Sequence, residues 1–246
     1  MMQRIIRICL FGVTAASLLA GCESRESATP TPTGPLLTKV TAPEFPGADH
    51  FVSGITNPYL AYEPGKVFHY CGETSEGSEE IVVTVTDQTR EIMGVTTTVI
   101  HDQAYVDGAL VEDTFDWVAQ DEDGNVWYFG EHSETIENGQ VVSTEGSWEA
   151  GVDGALPGVL MLADPEKGMS YAQEYAPDIA EDQARVKSTD ASVSIDLGDF
   201  VGVLQTLEWT PLEPGQREYK FYAPGTGQIL EESTGGRDAV ALCSVE

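Results

Sequence analysis

Basic residues are scarce: 12 Lys+Arg stand against 41 Asp+Glu in 246 residues, a formal net charge of −29. Such a chain lacks the clustered cations that binding to nucleic acid requires, and electrostatic attachment to anionic lipid is equally disfavoured. Histidine is also sparse. The four copies, His50, His69, His101 and His132, show no pair at metal-ligand spacing. His101-Asp102 are neighbours, but adjacent strand residues point to opposite faces. No G-x-S-x-G elbow, P-loop, dinucleotide-binding glycine fingerprint or heptad repeat occurs, and Ser147 in E-G-S-W-E lacks the second glycine. No apolar run reaches the roughly 20 residues that cross a bilayer as a helix. Disorder is excluded by what remains, because 41% of residues are hydrophobic and 9% aromatic.

What is present begins with an address. Met1 to Arg7 is a short basic region and Ile8 to Ala20 an apolar run, the anatomy of a secretory signal peptide. The junction Leu19-Ala20-Gly21-Cys22 resembles a bacterial lipobox. There the cysteine thiol takes a diacylglyceryl thioether, and its freed amine can be acylated after cleavage. Several acyl chains on one residue give lasting anchorage where one would not. The alternative is an ordinary signal peptide with an incidental cysteine. Residues 1–21 are therefore predicted to be removed, which takes away Arg4 and Arg7 and moves the formal charge from −29 to −31. Residues 22–46 read as a lipidated Cys followed by a Pro/Ser/Thr-rich tether, and 47–246 as a single β domain. The expected location is extracytoplasmic and lipid-anchored, on the cell membrane or the outer membrane.

Four cysteines shrink to two once Cys9 and Cys22 are accounted for. Cys71 and Cys243 are then predicted to form a disulfide in an oxidising compartment, with two buried thiols as the alternative. The bond requires the first and last strong strands to be neighbours, since the two Cα atoms must lie within about 7 Å.

From residue 66 onward the hydrophobic period is mostly two. Ile81, Val83 and Val85 alternate with Val82, Thr84 and Thr86, and the dipeptides Asp107-Gly108, Asp123-Gly124, Asn138-Gly139 and Gly235-Gly236 punctuate the runs. The pattern predicts strands near 66–72, 80–87, 93–105, 110–120, 125–133, 140–149, 169–176, 183–189, 191–197, 201–210, 216–223, 227–233 and 238–245. Residues 150–168 read as a long connection, and 177–183 as one helical turn. So many adjacent antiparallel strands must curl, because twist accumulates and free edges invite aggregation. The fold class expected is all-β, an antiparallel meander forming a strongly curved sheet or barrel, with a two-layer sandwich as alternative.

Three phrases carry a family resemblance. Asn57-Pro58-Tyr59 with Pro64-Gly65-Lys66-Val67-Phe68 is one, Asp116-Trp117 with Asp123 to Glu131 (D-G-N-V-W-Y-F-G-E) the second, and Tyr222 to Gly227 (Y-A-P-G-T-G) the third. Together they resemble the opening, central hairpin and closing hairpin of a family of bacterial secreted lipoproteins, over roughly residues 55 to 245. The resemblance implies an exported lipoprotein and transfers no activity.

Candidate sites are few. Asp121, Asp123 and Asn125 surround Gly124 and offer hard oxygen ligands for Ca²⁺, the one cofactor entertained; the alternative is a capped hairpin turn. Glu145 with Glu149, or Glu174 with Glu208, could serve glycoside hydrolysis if they faced each other, but solvated surface charge is the default. Trp117, Trp127, Trp148 and Trp209 could line a ligand cleft on the second face of a curved sheet. The expected function is a lipid-anchored binding or structural component of the cell envelope. Its partners would be the lipid bilayer, through acylated Cys22, and a small molecule or envelope protein. A secreted carboxylate- or Ca-dependent hydrolase is the alternative.

Overall fold

A computed structural model of the chain describes residues 39–246. The expected leader, Cys22 and the segment read as tether up to residue 38 lie outside the described residues. The described part is all-β, with a single 3₁₀ turn at Ala48–His50. In chain order the strands are β1 (Phe51–Val52), β2 (Val67–Thr74), β3 (Gly77–Ile92), β4 (Val95–Val106), β5 (Ala109–Asp121) and β6 (Val126–Glu137). Next come β7 (Gln140–Ser143), β8 (Trp148–Glu149), β9 (Gly158–Met161), β10 (Ser170–Ala172) and β11 (Gln183–Ile195). The chain finishes with β12 (Gly198–Trp209), β13 (Arg217–Ala223), β14 (Gly227–Ser233) and β15 (Ala239–Val245).

All belong to one antiparallel sheet. The strand order is β10-β11-β12-β13-β14-β15-β2-β3-β4-β5-β6-β7, with β1 added to β5, and β8 and β9 added to β6. Sequential strands are neighbours because tight hairpins join them. Met93-Gly94, Asp107-Gly108 and Asn138-Gly139 each have positive φ at both central residues, the backbone whose twist matches that of paired strands. Aspartate and asparagine tolerate this conformation locally. Met93 does not favour it, and the long β3–β4 ladder that it closes holds it there.

The last strand meets the first long strand in the middle of the sheet. β15 pairs with β2, placing Ala241 opposite Cys71 and Leu242 opposite Tyr70. Cys243 falls in the register shift between Leu242 and Ser244, so a bulge turns it toward Cys71. The two form a disulfide with a Cα–Cα distance of 5.9 Å. The last strand and the first long one are therefore neighbours, and the discontinuity in the sheet falls elsewhere, at the connection between β8 and β10.

At that seam the two ends of the sheet come round to each other. Tyr175, just after β10, forms a single antiparallel bridge with Leu156, whose N–H donates to the Tyr175 carbonyl at 2.8 Å. Gly158 approaches the opposing backbone so closely that a Cβ there would lie 2.1 Å from the Gln173 carbonyl oxygen. One bridge does not make a ladder, and the sheet is curled but not closed.

The structure departs from the expected strands in four places. Residues 140–149 split into β7 and β8, because a turn at Thr144–Ser147 with Gly146 at φ 96° interrupts them. The 150–168 connection contributes β9, whose four apolar or glycine residues are all buried against β6. The separate strands expected at 183–189 and 191–197 are one strand, β11, which absorbs its irregularity in register shifts between Val186 and Ser192. Residues 177–183 form no helix. Asp178 sits at φ 63° in a turn closed by the Ala176–Ala180 bridge.

The described part of the segment read as tether packs on the domain. Lys39 Nζ pairs with Glu181 at 2.7 Å, the Val40 N–H donates to Gln183 Oε1, and Phe45 meets Trp127 and Phe129 edge-on.

Candidate functional site

Asp121, Asp123 and Asn125 lie where β5 turns into β6. Asp121 accepts the Asn125 N–H at 2.8 Å, the Asn125 side-chain amide at 2.9 Å and the Trp127 indole N–H at 2.7 Å. Asn125 Oδ1 accepts from the Ala163 N–H at 2.9 Å. Asp123 is exposed, and Gly124 takes φ 93°. The Asp121 and Asn125 oxygens proposed for a cation are thus engaged in locking the turn, and no cluster able to hold a metal occurs among the described residues.

The four tryptophans are buried and have separate neighbours. Trp117 lies beneath the Arg90 guanidinium at 4.0 Å, Trp127 sits among Phe45 and Phe51, and Trp209 is opposite Gln183 in the ladder. Trp148 packs edge-on against Tyr128 at 5.4 Å, and it lines a cleft. The shared tryptophan cleft expected from the sequence is therefore corrected to a site with one tryptophan. Curling buries both faces around the other three.

The larger correction concerns the carboxylates. Glu145 is exposed and Glu149 partly so, with Glu149 paired to Arg90. Glu174 and Glu208, however, are 2% and 5% exposed, which removes them from the solvated surface assigned to them. Asp102, Asp116, Glu131 and Asp182 are buried as well. These residues occupy inward positions of the curled sheet, where charge is costly unless compensated.

Two polar clusters organise them. In the first, Lys220 of β13 is fully buried, with Nζ 3.1 Å from Glu218, 3.3 Å from Glu208 and 3.6 Å from Glu231. The ladder puts Lys220 directly opposite Thr206 on one side and Glu231 on the other. Burial pulls the lysine pKa down, but Glu218, Glu208 and Glu231 outweigh it and hold the ammonium above its ordinary range. Burial, reinforced by Glu231, pushes the Glu218 carboxyl up against the opposing pull of Lys220. A single cation cannot balance three carboxylates, and the upward shift at Glu218 lessens the excess.

In the second cluster the Tyr128 hydroxyl donates to Asp116 Oδ1 at 2.7 Å and lies 3.2 Å from Glu131 Oε2. Burial raises Asp116 to about 6, with Asp102 adding to the rise. Burial and then Asp116 push Glu131 well above the carboxylate range. A protonated Glu131 can donate to the tyrosine oxygen, which completes a chain from Glu131 through Tyr128 to Asp116. Glu174 and Asp182 are pushed up by burial first and by carboxylate neighbours second: Glu131 acts on Glu174, and Glu174 on Asp182.

Glu174 and Trp148 stand at the seam. The indole N–H faces the Glu174 carboxyl, yet Trp148 Nε1 and Glu174 Oε1 are buried without a partner of hydrogen-bonding geometry. Outside them lies the cleft, about 120 Å³, lined by Trp148, Ala155, Ala176, Pro177, Val152 and Ile179, with Ser147, Glu149 and Asp153 as its polar members. Val152 and Ile179 are each 48% exposed, so the mouth of the cleft is apolar and open.

No family model matches the chain, and no curated protein does either. Two solved structures are similar to it. One is a protein of Bacteroides fragilis, described as a presumed exported protein with a YmcC-like fold. It is 15% identical with a TM-score of 0.44, covering 78% of this chain and 100% of its own. The other is a presumed lipoprotein of Parabacteroides distasonis, 10% identical with a TM-score of 0.40, covering 77% of this chain and 99% of its own.

Within this chain the three motif segments converge at one junction. Asn57 is buried, and its side-chain amide donates to the Gly124 and Leu162 carbonyls at 2.9 and 3.1 Å while its Oδ1 accepts the Tyr59 N–H at 2.9 Å. Gln120 Oε1 accepts the Thr56 and Asn57 N–H groups. The Gly225 N–H donates to the Pro58 carbonyl at 2.7 Å. The N-P-Y, D-G-N and Y-A-P-G segments are thus structural ties between loops.

Sequence reasoning missed the interior acids and Lys220. One signal for them existed. Glu218, Lys220 and Tyr222 alternate on one side of β13, and charges of both signs on a face shared with an aromatic mark a buried ion cluster rather than a solvated stripe.

Proposed function

We propose that the chain is an exported envelope lipoprotein, held on a membrane by acylated Cys22, whose curled β domain binds a small molecule at the seam cleft. The observation that carries the binding role is the cleft itself. It lies at the discontinuity of the sheet, with an apolar open mouth, a tryptophan wall and buried polar atoms behind that wall without partners. Buried polar atoms without partners are rare in native proteins and often mark a site completed by something else. The lipobox-like L-A-G-C sequence supports the anchor, and the Cys71–Cys243 disulfide fits an oxidising compartment. The hydrolase reading finds less support, since Asp116 and Glu131 are joined through a buried tyrosine and Glu208, Glu218 and Glu231 are gathered on Lys220.

The test has two arms. Mass spectrometry of the membrane-extracted protein is expected to find a diacylglyceryl group on Cys22, and Cys22→Ser to move the protein to the soluble fraction. Native mass spectrometry is expected to find a small molecule on the wild type that is absent from Ala155→Trp, which fills the cleft. An unmodified Cys22 refutes the anchor. Identical spectra for the two proteins refute the binding role.

A further inference from the structure

We propose that the seam cleft takes an organic cation, an ammonium group on a small apolar body, with Glu174 as its counter-ion and the Trp148 ring as its wall. This inference rests on the binding role assigned above and names the class of ligand.

The first argument is a deficit of positive charge. Asp102, Asp116, Glu131, Glu174, Asp182 and Glu208 are buried, whereas among the described residues Lys220 is the only buried Lys or Arg. Lys220 is already surrounded by Glu208, Glu218 and Glu231. The charged groups that face Glu174 from neighbouring elements are Glu131 of β6, Asp116 of β5 and Asp182 ahead of β11, all acidic. At the cleft Glu149 is already paired with Arg90, which leaves Asp153 at the mouth and Glu174 beside Trp148 as the acids a ligand would meet.

The second argument is geometric. Glu174 is 2% exposed, and its Oε1 has no partner. It lies two residues from Ala176, which lines the cleft, and alternate residues of an extended segment share a face. Trp148 belongs to both places, lining the cleft while its indole N–H faces Glu174. A cation over a tryptophan face and beside a carboxylate gains on both counts. The apolar lining from Val152, Ala155, Pro177 and Ile179 suits the body that carries the charge. Outside, Asp153 and the strongly negative chain concentrate cations near the opening.

The proton balance is simple. Burial and its acidic neighbours favour the protonated form of Glu174 in the empty site. On binding, the ammonium replaces that proton, which leaves to solvent, and the resulting carboxylate accepts from the Trp148 N–H and contacts the cation. No covalent bond forms.

The experiment is calorimetric titration of the purified protein with choline and with its uncharged isostere 3,3-dimethyl-1-butanol. Each is run near neutral pH in two buffers of different ionisation enthalpy, on wild type, Glu174→Gln, Trp148→Phe and Ala155→Trp. Wild type is expected to bind choline with proton release and to bind the isostere at least about tenfold more weakly. Glu174→Gln keeps the shape and removes a buried acid. It is expected to fold, to lose about tenfold in choline affinity and to release no proton. Trp148→Phe keeps an aromatic face but removes the indole N–H that the Glu174 carboxylate would accept from, and is expected to weaken choline binding. Equal binding of choline and the isostere, or choline binding unaffected by Glu174→Gln, overturns the cation assignment. So does the absence of choline binding at ~10 mM. If the isostere binds as tightly as choline and Ala155→Trp abolishes both, the binding role stands while the ligand class falls.

Discussion

The acidic interior makes stability depend on pH in a direction opposite to that of ordinary salt-bridged acids. Asp116 shows it most clearly. Burial, with help from Asp102, raises its pKa from 3.8 to about 6. A carboxyl whose folded pKa exceeds its unfolded value favours the protonated native state. Its contribution is therefore fully present below pH ~4 and is lost as pH rises through about 6. Two pKa units correspond to about 3 kcal/mol, and Glu131, Glu174, Asp182 and Glu218 act in the same direction. The perturbation is Asp116→Asn, which cannot ionise and retains an oxygen to accept from the Tyr128 hydroxyl now 2.7 Å from Asp116. The assay is urea unfolding from about pH 4 to about pH 7.5 in moderate salt, which screens the exposed acids equally in both proteins. Wild type is expected to lose stability as pH rises. The variant should lose about 3 kcal/mol less over that interval. Parallel profiles for the two proteins would refute the assignment of a raised Asp116.

Four further outcomes are expected. Lys220→Met leaves Glu208, Glu218 and Glu231 buried without their cation and should cost about 3–5 kcal/mol in urea unfolding, with recovery when the three glutamates are also changed to glutamine. Replacing Cys71 and Cys243 by serine opens a loop of 172 residues and should lower stability by up to about 5 kcal/mol, read as a drop in the thermal midpoint that reducing agent reproduces in wild type. Asn57→Ala strands the Gly124 and Leu162 carbonyls and should cost about 2–4 kcal/mol, measured by denaturant midpoint. Gly158→Ala puts a Cβ against the Gln173 carbonyl and should speed amide exchange at Leu156, whose N–H carries the seam bridge, more than at the β2–β15 pairing.

Much of the architecture was legible because it rests on local rules. Asp107-Gly108 and Asn138-Gly139 supply residues that accept positive φ, so their hairpins and the flanking strands could be placed. Met93-Gly94 closes an equally tight hairpin, but nothing about methionine favours that backbone, and only the β3–β4 ladder imposes it. The proximity of Cys71 and Cys243 followed from counting thiols, whereas the bulge that aims Cys243 follows from register. The seam could not be read at all. Its constituents, Leu156 and Gly158 on one side and Gln173 and Tyr175 on the other, come together only when the whole sheet has curled.

The scarcity of positive charge was plain in the composition, and so was the excess of acids. The sequence by itself determined the strand period, most of the turns and the cysteine pair, because each depends on residue identity over a few positions or on a simple count. Which acids are solvated and which are buried was decided by tertiary structure alone. A period of two assigns residues to faces, but only the curl determines which face becomes the interior. It places Asp116, Glu131 and Glu174 around a tyrosine and a tryptophan, and Lys220 among three glutamates.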